Sequence, residues 1–281
     1  MSSAKLPPTE LWICDLGTIG YREAAVLQED LRERRIAREI PDTLLLLEHP
    51  PVYTRGRRSL PHELALGEDF YRARGIEVVD TKRGGKVTYH GPGQLVGYAI
   101  MEVRDVGEHL RKMEAALVEM LAGLGIAARS RCREGPDYTG VWVRDRKIAS
   151  IGVHISRGVS THGFAINVDN DLEPFSWVVA CGLPDVSMTS VEAELTVNGL
   201  VGSAVNGLVD SAVNGPVDSE ELRARTRARA YACFCDVHDR SPRPVQPHEL
   251  GVATPVPAWP QRFGEDAGAR TPRLDQDAVP A

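Results

Sequence analysis

Short apolar strands separated by glycine turns constrain the fold of this chain more than any other feature. Val78 to Thr81, Lys86 to His90 and Gln94 to Val103 are predicted strands, with Gly84-Gly85 and Gly91-Pro92-Gly93 between them. Parallel neighbours in a sheet need a long crossover, usually a helix, between consecutive strands. Strands this close in sequence therefore argue against a doubly wound fold.

The later strands also predict antiparallel hairpins. Val141 to Val143 and Lys147 to Ile155 flank the short polar link Arg144-Asp145-Arg146, and Gly163 to Val168 follow. Because the strands come in hairpins and do not alternate strictly with helices, we expect an α+β fold.

Other segments complete this layout. Leu11 to Leu16 reads as a strand, and Thr43 to Glu48 is a continuously apolar run, typical of a buried strand, that ends before Pro50 and Pro51. Apolar residues at spacings of three and four predict helices over 21–37, 106–123 and 220–235. The most regular of these, 106–123, is expected to cover the sheet.

Composition limits the possible partners and compartment. The 281 residues carry a formal net charge of -6, which offers no broad positive field for a nucleic acid. No run is long and apolar enough to span a membrane, and the first residues lack the apolar core of a signal peptide. We therefore expect a monomer that works in the cytoplasm, with its five cysteines as thiols.

Two regions depart from the rest of the sequence. Residues 197–219 repeat an eight-residue unit, which is too short for a solenoid and indicates a surface insertion. Prolines crowd 236–281, where a disordered tail is expected. The predicted organisation is a short extension over 1–10, one domain over 11–235 that carries the insertion, and the tail.

The segment from Arg83 to Gln94 is the densest candidate binding site. It holds four glycines, a proline and several hydrogen-bonding side chains in twelve residues. Glycines let a ligand approach the backbone and leave N–H groups free to bind a carbonyl or an anion. Two ordinary hairpin turns would explain the same glycines. No nucleotide-binding motif matches the segment.

Cys181 and Lys147 each allow two interpretations from the residues alone. Cys181 ends an apolar run at a Gly-Pro turn, where a thiol could be reactive or simply buried and inert. Lys147 opens a strand whose alternation places it on the apolar face of Ala149, Ile151 and Val153, although a solvated lysine after a polar turn is also possible.

Other histidines and cysteines are candidates for a general base or for a metal site. His49, His90 and His154 could each act as a base, but a single histidine is more often structural. Cys233, Cys235 and His238 offer only three zinc ligands at poor spacing, so we interpret these cysteines as packing residues and predict no metal site.

Five unusual motifs follow one another along the chain. They are Glu48-His49-Pro50-Pro51-Val52-Tyr53-Thr54, RGGKVTYHGPGQ from Arg83, Lys147-Ile148-Ala149-Ser150-Ile151-Gly152, Gly163-Phe164-Ala165-Ile166-Asn167, and Cys181-Gly182-Leu183 followed by Thr189-Ser190. In this order they resemble the octanoyltransferases of lipoate biosynthesis. The resemblance covers about residues 10–235 and excludes the repeat and the tail.

The resemblance implies the biotin/lipoate protein ligase fold, a mixed sheet covered by helices, with 11–235 as the catalytic domain. It implies that Cys181 forms an acyl thioester and that Lys147 activates the thiol from nearby, at roughly 3 to 4 Å. Neither metal nor ATP is implied as a cofactor, and His90 belongs to the substrate-binding wall. The implied substrate-binding residues are Arg83, Gly84, Gly85, Lys86, Val87, Thr88, Tyr89, His90, Ser150, Ile151, Gly152, Gly163, Phe164 and Ala165.

The same resemblance implies protein partners. Octanoyl-acyl carrier protein would donate the acyl group, and lipoyl domains of 2-oxoacid dehydrogenase E2 subunits and the glycine cleavage H protein would accept it. Two alternatives remain: an ATP-dependent lipoate or biotin ligase of the same fold, and a non-catalytic module that holds carrier proteins or acyl chains.

Overall fold

The computed structural model describes residues 10–179, 186–197 and 218–252. Its strands are β1 (Glu10–Thr18), β2 (Asp42–Glu48), β3 (Val52–Arg55), β4 (Glu77–Asp80), β5 (Val87–His90), β6 (Gln94–Ile100), β7 (Arg129–Ser130), β8 (Gly140–Val143), β9 (Arg146–Ser156), β10 (Val159–Asn167) and β11 (Ser241–Pro244). Its helices are α1 (Tyr21–Ile36), α2 (Glu68–Arg72), α3 (Val106–Ala122), α4 (Glu173–Ser176), α5 (Val191–Val197) and α6 (Ser219–His238).

The strands form two sheets that mix parallel and antiparallel pairs. The large sheet has the order β11-β1-β2-β6-β10-β9-β8-β7, and the small sheet has the order β4-β3-β5. The pairs β1–β2 and β3–β4 are parallel, whereas β6–β10, β9–β10 and β8–β9 are antiparallel. The predicted α+β fold and the predicted hairpins are confirmed.

The large sheet is covered on both faces, which explains the continuous apolar run of β2. Leu44 and Leu46 pack in a core with α3 and α6. Leu45 and Leu47 point to the other face and pack with α1. Successive side chains on a strand point to opposite faces, so a strand covered on both sides can carry apolar residues at consecutive positions, as Leu44 to Leu47 do. As predicted, α3 covers the sheet.

The two glycine turns of the central segment, at Gly84-Gly85 and at Gly91 to Gly93, have different structural roles. Both β4 and β5 pair with β3, a strand that the sequence analysis missed. The next strand, β6, belongs to the large sheet, so Gly91 to Gly93 carry the chain from one sheet to the other and do not close a hairpin. At Gly93 the backbone φ is 83°, and an added Cβ would lie 2.6 Å from Asp169 Oδ1. Glycine permits both the positive φ and the close approach of Asp169.

The predicted tail boundary at 236 is wrong, because the domain continues to at least residue 252. Helix α6 extends to His238, and β11 then pairs in parallel with β1 at the edge of the large sheet. Proline has no backbone N–H to donate to a neighbouring strand. An edge strand tolerates it because one side of that strand makes no ladder hydrogen bonds. Val245 and Leu250 are buried against the sheet.

The remaining boundaries concern residues at the limits of the structure. Glu10, assigned above to the N-terminal extension, is the first residue of β1. Residues 1–9, residues 198–217 of the repeat and residues 253–281 lie outside the described residues. None of the helices in the described ranges is long and apolar enough to cross a bilayer.

A chain that ends at Asp236 should lose about 3 kcal/mol or more in free energy of unfolding. Val245 and Leu250 would leave the core, and burying one such side chain contributes about 1.5–3 kcal/mol. Urea unfolding measures the loss, with a chain ending at Val252 as the control. Equal stability of the two truncated chains would show that β11 and the residues after it do not stabilise the sheet.

Candidate functional site

A cavity of about 290 Å³ lies against strands β9 and β10 and the loop before β5. Lys147 lines it, together with every residue implied above to bind substrate except Tyr89. The structure therefore brings together three segments that are far apart in sequence: 83–90, 150–152 and 163–165.

Pairing between β9 and β10 brings two of these segments side by side. Gly152 pairs with Gly163, and Ser150 pairs with Ala165. The third segment joins them through its backbone, since the Gly84 N–H donates to Val153 O at 2.9 Å. A Cβ on Gly152 would lie 2.9 Å from Gly84 O, so the close approach of loop and strand needs glycine there.

Arg83 holds the loop in place. Its guanidinium Nη2 donates to Thr54 O at 2.6 Å and to Thr54 Oγ1 at 2.7 Å, and Nη1 donates to Gly84 O at 3.0 Å. The side chain is buried. These bonds fix the glycine loop to β3, so the charge of Arg83 reaches the cavity from a rigid position.

Tyr89, expected in the binding wall, has a different place. Thr88 and His90 line the cavity, whereas the Tyr89 side chain packs in the aromatic cluster of the small sheet with Tyr53 and Tyr71. Its ring packs edge-on against Phe175 and beside Tyr53, at centroid distances of 5.5 and 5.4 Å. Tyr89 thus belongs to the aromatic core of the small sheet.

Lys147 is buried in the cavity wall. Its exposed fraction is 2%, and its Nζ lies 5.3 Å from the centre of the Trp142 ring. A cation over an aromatic face is stabilised by the negative charge of that face. The interpretation of Lys147 as a solvated lysine is therefore wrong.

A bulge and a glycine make room for this lysine. The register between β8 and β9 shifts between Val141 and Trp142, which pairs Trp142 with Lys147. Gly140 has φ +132°, and a Cβ there would lie 2.8 Å from Lys147 Cε and 2.4 Å from Ala149 O. The Gly140 N–H donates to the buried carboxylate of Glu114 at 2.9 Å.

The backbone of Lys147 is also tied to the chain that follows position 181. The Lys147 N–H donates to Ser187 O, and the Thr189 N–H donates to Lys147 O, both at 2.9 Å. On the preceding side, the Val179 N–H donates to Glu63 O at 3.0 Å. Cys181 itself lies outside the described residues, and so does its predicted distance to Lys147.

Burial favours the neutral form of the histidines near the cavity by lowering their pKa values. Burial lowers the pKa of His162 to about 3 and that of His49 to about 4, and it holds the pKa of His90 well below its usual value. His90 and His162 line the cavity. His49 lies behind the wall, where its Nδ1–H donates to Ile19 O at 2.8 Å and its Nε2 accepts from the Tyr98 hydroxyl at 2.7 Å.

The other chemical candidates lie elsewhere. His154 is half-buried, and burial and the nearby Arg32 lower its pKa. Cys235 is part of the core between α3 and α6, and Cys233 packs against it, which confirms the packing role predicted for both. Among the described residues no cluster of three or more His, Cys, Asp or Glu could hold a metal ion.

Sequence reasoning missed part of the cavity wall. His162 has φ +61°, unusual for a residue other than glycine, and its N–H donates to Gln28 Oε1 of α1 at 2.6 Å. Only a distant contact of this kind explains such a conformation, so no local pattern reveals it. The cavity residues not predicted are Tyr21, Arg58, Tyr98, Val106, Leu110, Pro136, Asp137, Thr139, Val153 and His162.

Comparison with known proteins places the chain in a family. The model of the lipoyl protein ligase A/B catalytic domain matches residues 20–209. An octanoyltransferase of Mycobacterium avium is 49% identical over 189 residues, which are 64% of this chain and 76% of that protein. An octanoyltransferase of Rubrobacter xylanophilus is 48% identical over 183 residues, which are 64% and 81%. This chain belongs to the family of lipoyl protein ligase A/B catalytic domains.

Solved structures confirm the fold that the resemblance implied. Lipoate-protein ligase A bound with ATP superposes with a TM-score of 0.59 at 18% identity, over 87% of this chain and 92% of the other. The bipartite lipoate protein ligase from Thermoplasma acidophilum, studied with its E2 lipoyl domain, gives 0.57 at 19% identity, over 86% and 90%.

Replacing Gly140 by alanine should destabilise the protein by about 1–3 kcal/mol more than replacing Gly135, because only the first change forces a methyl group into packed atoms. The two glycines have similar φ, +132° and +139°, but the nearest atom to a Cβ on Gly135 is Tyr138 Cδ2 at 3.8 Å. The strain that an alanine suffers from a positive φ should therefore be similar at the two positions. Equal losses in urea unfolding would show that crowding around Lys147 is unimportant.

Proposed function

We propose that this chain transfers an octanoyl group from the thioester of acyl carrier protein to a lysine of a lipoyl domain, with Cys181 as the acyl carrier. The single observation that carries the proposal is Lys147, a buried lysine in the wall of a cavity built from the motifs that resemble octanoyltransferases. The octanoyltransferases at 48–49% identity support the same activity.

The chain on both sides of Cys181 supports its assignment as the nucleophile. Val179, two positions earlier, bonds to the backbone of Glu63, whose Oε1 lies 3.6 Å from the Nζ of the cavity residue Lys86. Ser187, six positions later, bonds to Lys147. Both connections tie the segment that carries the thiol to residues of the cavity.

The shape and lining of the cavity suit one linear acyl chain. A volume of about 290 Å³ lies near the lower end of small-ligand sites, about 300–1,000 Å³. Apolar side chains from three parts of the fold contribute to its wall: Val87, Val106, Leu110, Ile151, Val153 and Phe164. A saturated chain gains free energy by leaving water for such a wall.

Each half of the reaction then has an assigned group. The thiolate of Cys181 attacks the donor thioester and releases the carrier's thiol, and the acceptor amine next attacks the octanoyl-enzyme. Lys147 favours the Cys181 thiolate by its positive charge and passes its proton to the carrier's thiolate as that group leaves. The lysine, then neutral, takes a proton from the attacking amine as the amide forms and Cys181 leaves as a thiolate. The thioester supplies the free energy, so no nucleotide is required.

Incubation with octanoyl-acyl carrier protein, followed by intact mass spectrometry, should show one octanoyl adduct that maps to Cys181. Cys181→Ser should remove the adduct and the transfer while leaving the unfolding curve unchanged, because a lysine alone does not ionise a serine hydroxyl. Near wild-type turnover by the serine variant would contradict the covalent route.

The same assay separates the alternatives. Activity that needs ATP and free octanoate and survives Cys181→Ala would identify an ATP-dependent ligase. Carrier protein bound without any adduct or transfer would identify a binding module.

Lys147→Met should raise the pH at which Cys181 is alkylated by iodoacetamide, because the thiolate would lose its neighbouring cation. The expected direction is slower alkylation at neutral pH, with the rate recovering as the pH increases. Lys112→Met is the matched control, since Lys112 lies on α3 and pairs at its surface with Glu108 at 3.1 Å. An unchanged alkylation profile in Lys147→Met would remove Lys147 from the mechanism.

A further inference from the structure

A chain of buried amide groups connects His90 to the strand that carries Lys147. His90 Nδ1 lies 2.7 Å from Gln94 Oε1, and Gln94 Nε2 donates to Asn167 Oδ1 at 3.0 Å. Asn167 Nδ2 donates to Thr189 O at 3.0 Å, and the Thr189 N–H donates to Lys147 O at 2.9 Å. We call His90, Gln94, Asn167 and Thr189 the amide relay; all four are buried.

Backbone carbonyls fix the direction of every hydrogen bond in the amide relay. Gln94 Nε2 also donates to Tyr89 O at 3.1 Å, and Asn167 Nδ2 faces Thr189 O. A carbonyl oxygen can only accept, so neither amide can be turned around without placing two oxygens in contact. Gln94 therefore presents its oxygen to His90, and the ring must donate from Nδ1.

The amide relay thus determines the state of the His90 ring. With the proton on Nδ1, a neutral ring carries its lone pair on Nε2. Burial, His49 and Arg83 keep the pKa of His90 low, which agrees with a neutral ring. His90 is in the cavity wall, where Lys147, Lys86 and Arg83 supply hydrogen-bond donors. An Nε2 lone pair that faces the cavity would add an acceptor to these donors.

We propose that Gln94 and Asn167 are positioning residues that hold His90 with Nδ1–H inward and Nε2 free to accept a hydrogen bond from the attacking amine of the acceptor lysine. The identity of that amine rests on the proposed function. The octanoyl chain and its thioester carry no hydrogen-bond donor, whereas the amine brings N–H groups into the site. Accepting one of them would orient the nitrogen lone pair toward the thioester carbonyl.

The ring nitrogens can be observed directly. In enzyme labelled with ¹⁵N-histidine, long-range ¹H–¹⁵N spectra distinguish a protonated ring nitrogen from a bare one, and His90→Asn identifies the signals of His90. The wild-type ring should carry its proton on Nδ1. Gln94→Met, which removes the acceptor oxygen, should lose that preference. A wild-type proton on Nε2 would overturn the proposal.

Single-turnover kinetics test the role of the amide relay. Gln94→Met should slow octanoyl transfer from the enzyme to a lipoyl domain by roughly ten- to a hundredfold, while the rate of Cys181 acylation stays within about twofold of wild type. Ser160→Ala is the control: Ser160 lies on the same strand as Asn167 and is buried, and its hydroxyl donates to Ala99 O at 2.6 Å. It should change neither rate nor tautomer.

Two kinetic outcomes would contradict the amide relay: unchanged transfer in Gln94→Met, or an equal loss in both half-reactions. Failure of the proposed function has a different signature. A wild-type enzyme that takes up no octanoyl group on Cys181 would overturn that function, and the ring-nitrogen spectra would still decide whether Gln94 fixes His90.

Discussion

Burial of the Lys147 ammonium group is the constraint around which this site is organised. A charge removed from water is costly unless its surroundings compensate for the lost hydration. The bulge in β9 pairs Lys147 with Trp142, and Gly140 leaves space for the lysine side chain. Hydrogen bonds to Ser187 and Thr189 fix its backbone. An exposed lysine would need neither the bulge nor a glycine at position 140.

The sheets determine which parts of the sequence meet at that lysine. Strands β9 and β10 pair over eight positions, from Ser156 and Val159 to Ala149 and Ile166, and bring two binding segments into one wall. The glycine loop joins the wall because Arg83 anchors it to β3 and Gly84 bonds to Val153. Since the loop is held by the small sheet and the strands by the large one, the cavity lies where the two sheets meet.

Much of this arrangement could be predicted from the sequence, and the errors have physical causes. The apolar run of β2 is a local pattern, and the prediction of a buried strand there is confirmed. The alternation around Lys147 was an incomplete guide, because a bulge separates Lys147 from Ala149. Cavity residues such as His162 depend on a contact with Gln28, which is 134 positions away. Tyr89 lies outside the cavity wall because its ring packs with Tyr53 and Phe175, contacts that a motif of consecutive residues does not reveal. The segment around β11 was misjudged because proline-rich composition does not reveal an available sheet edge.

Activation of the Cys181 thiol by Lys147 requires a short distance between Lys147 Nζ and Cys181 Sγ. A crystal structure of the enzyme, free and with the octanoyl group attached, would measure it. The predicted distance between the two atoms is about 3 to 4 Å in the free enzyme. In the octanoyl-enzyme, the acyl chain should lie in the cavity beside Ile151 and Phe164. A separation beyond about 8 Å, roughly a Debye length at physiological salt and far too long for an ion pair, would contradict the assignment of Lys147 as the activating cation.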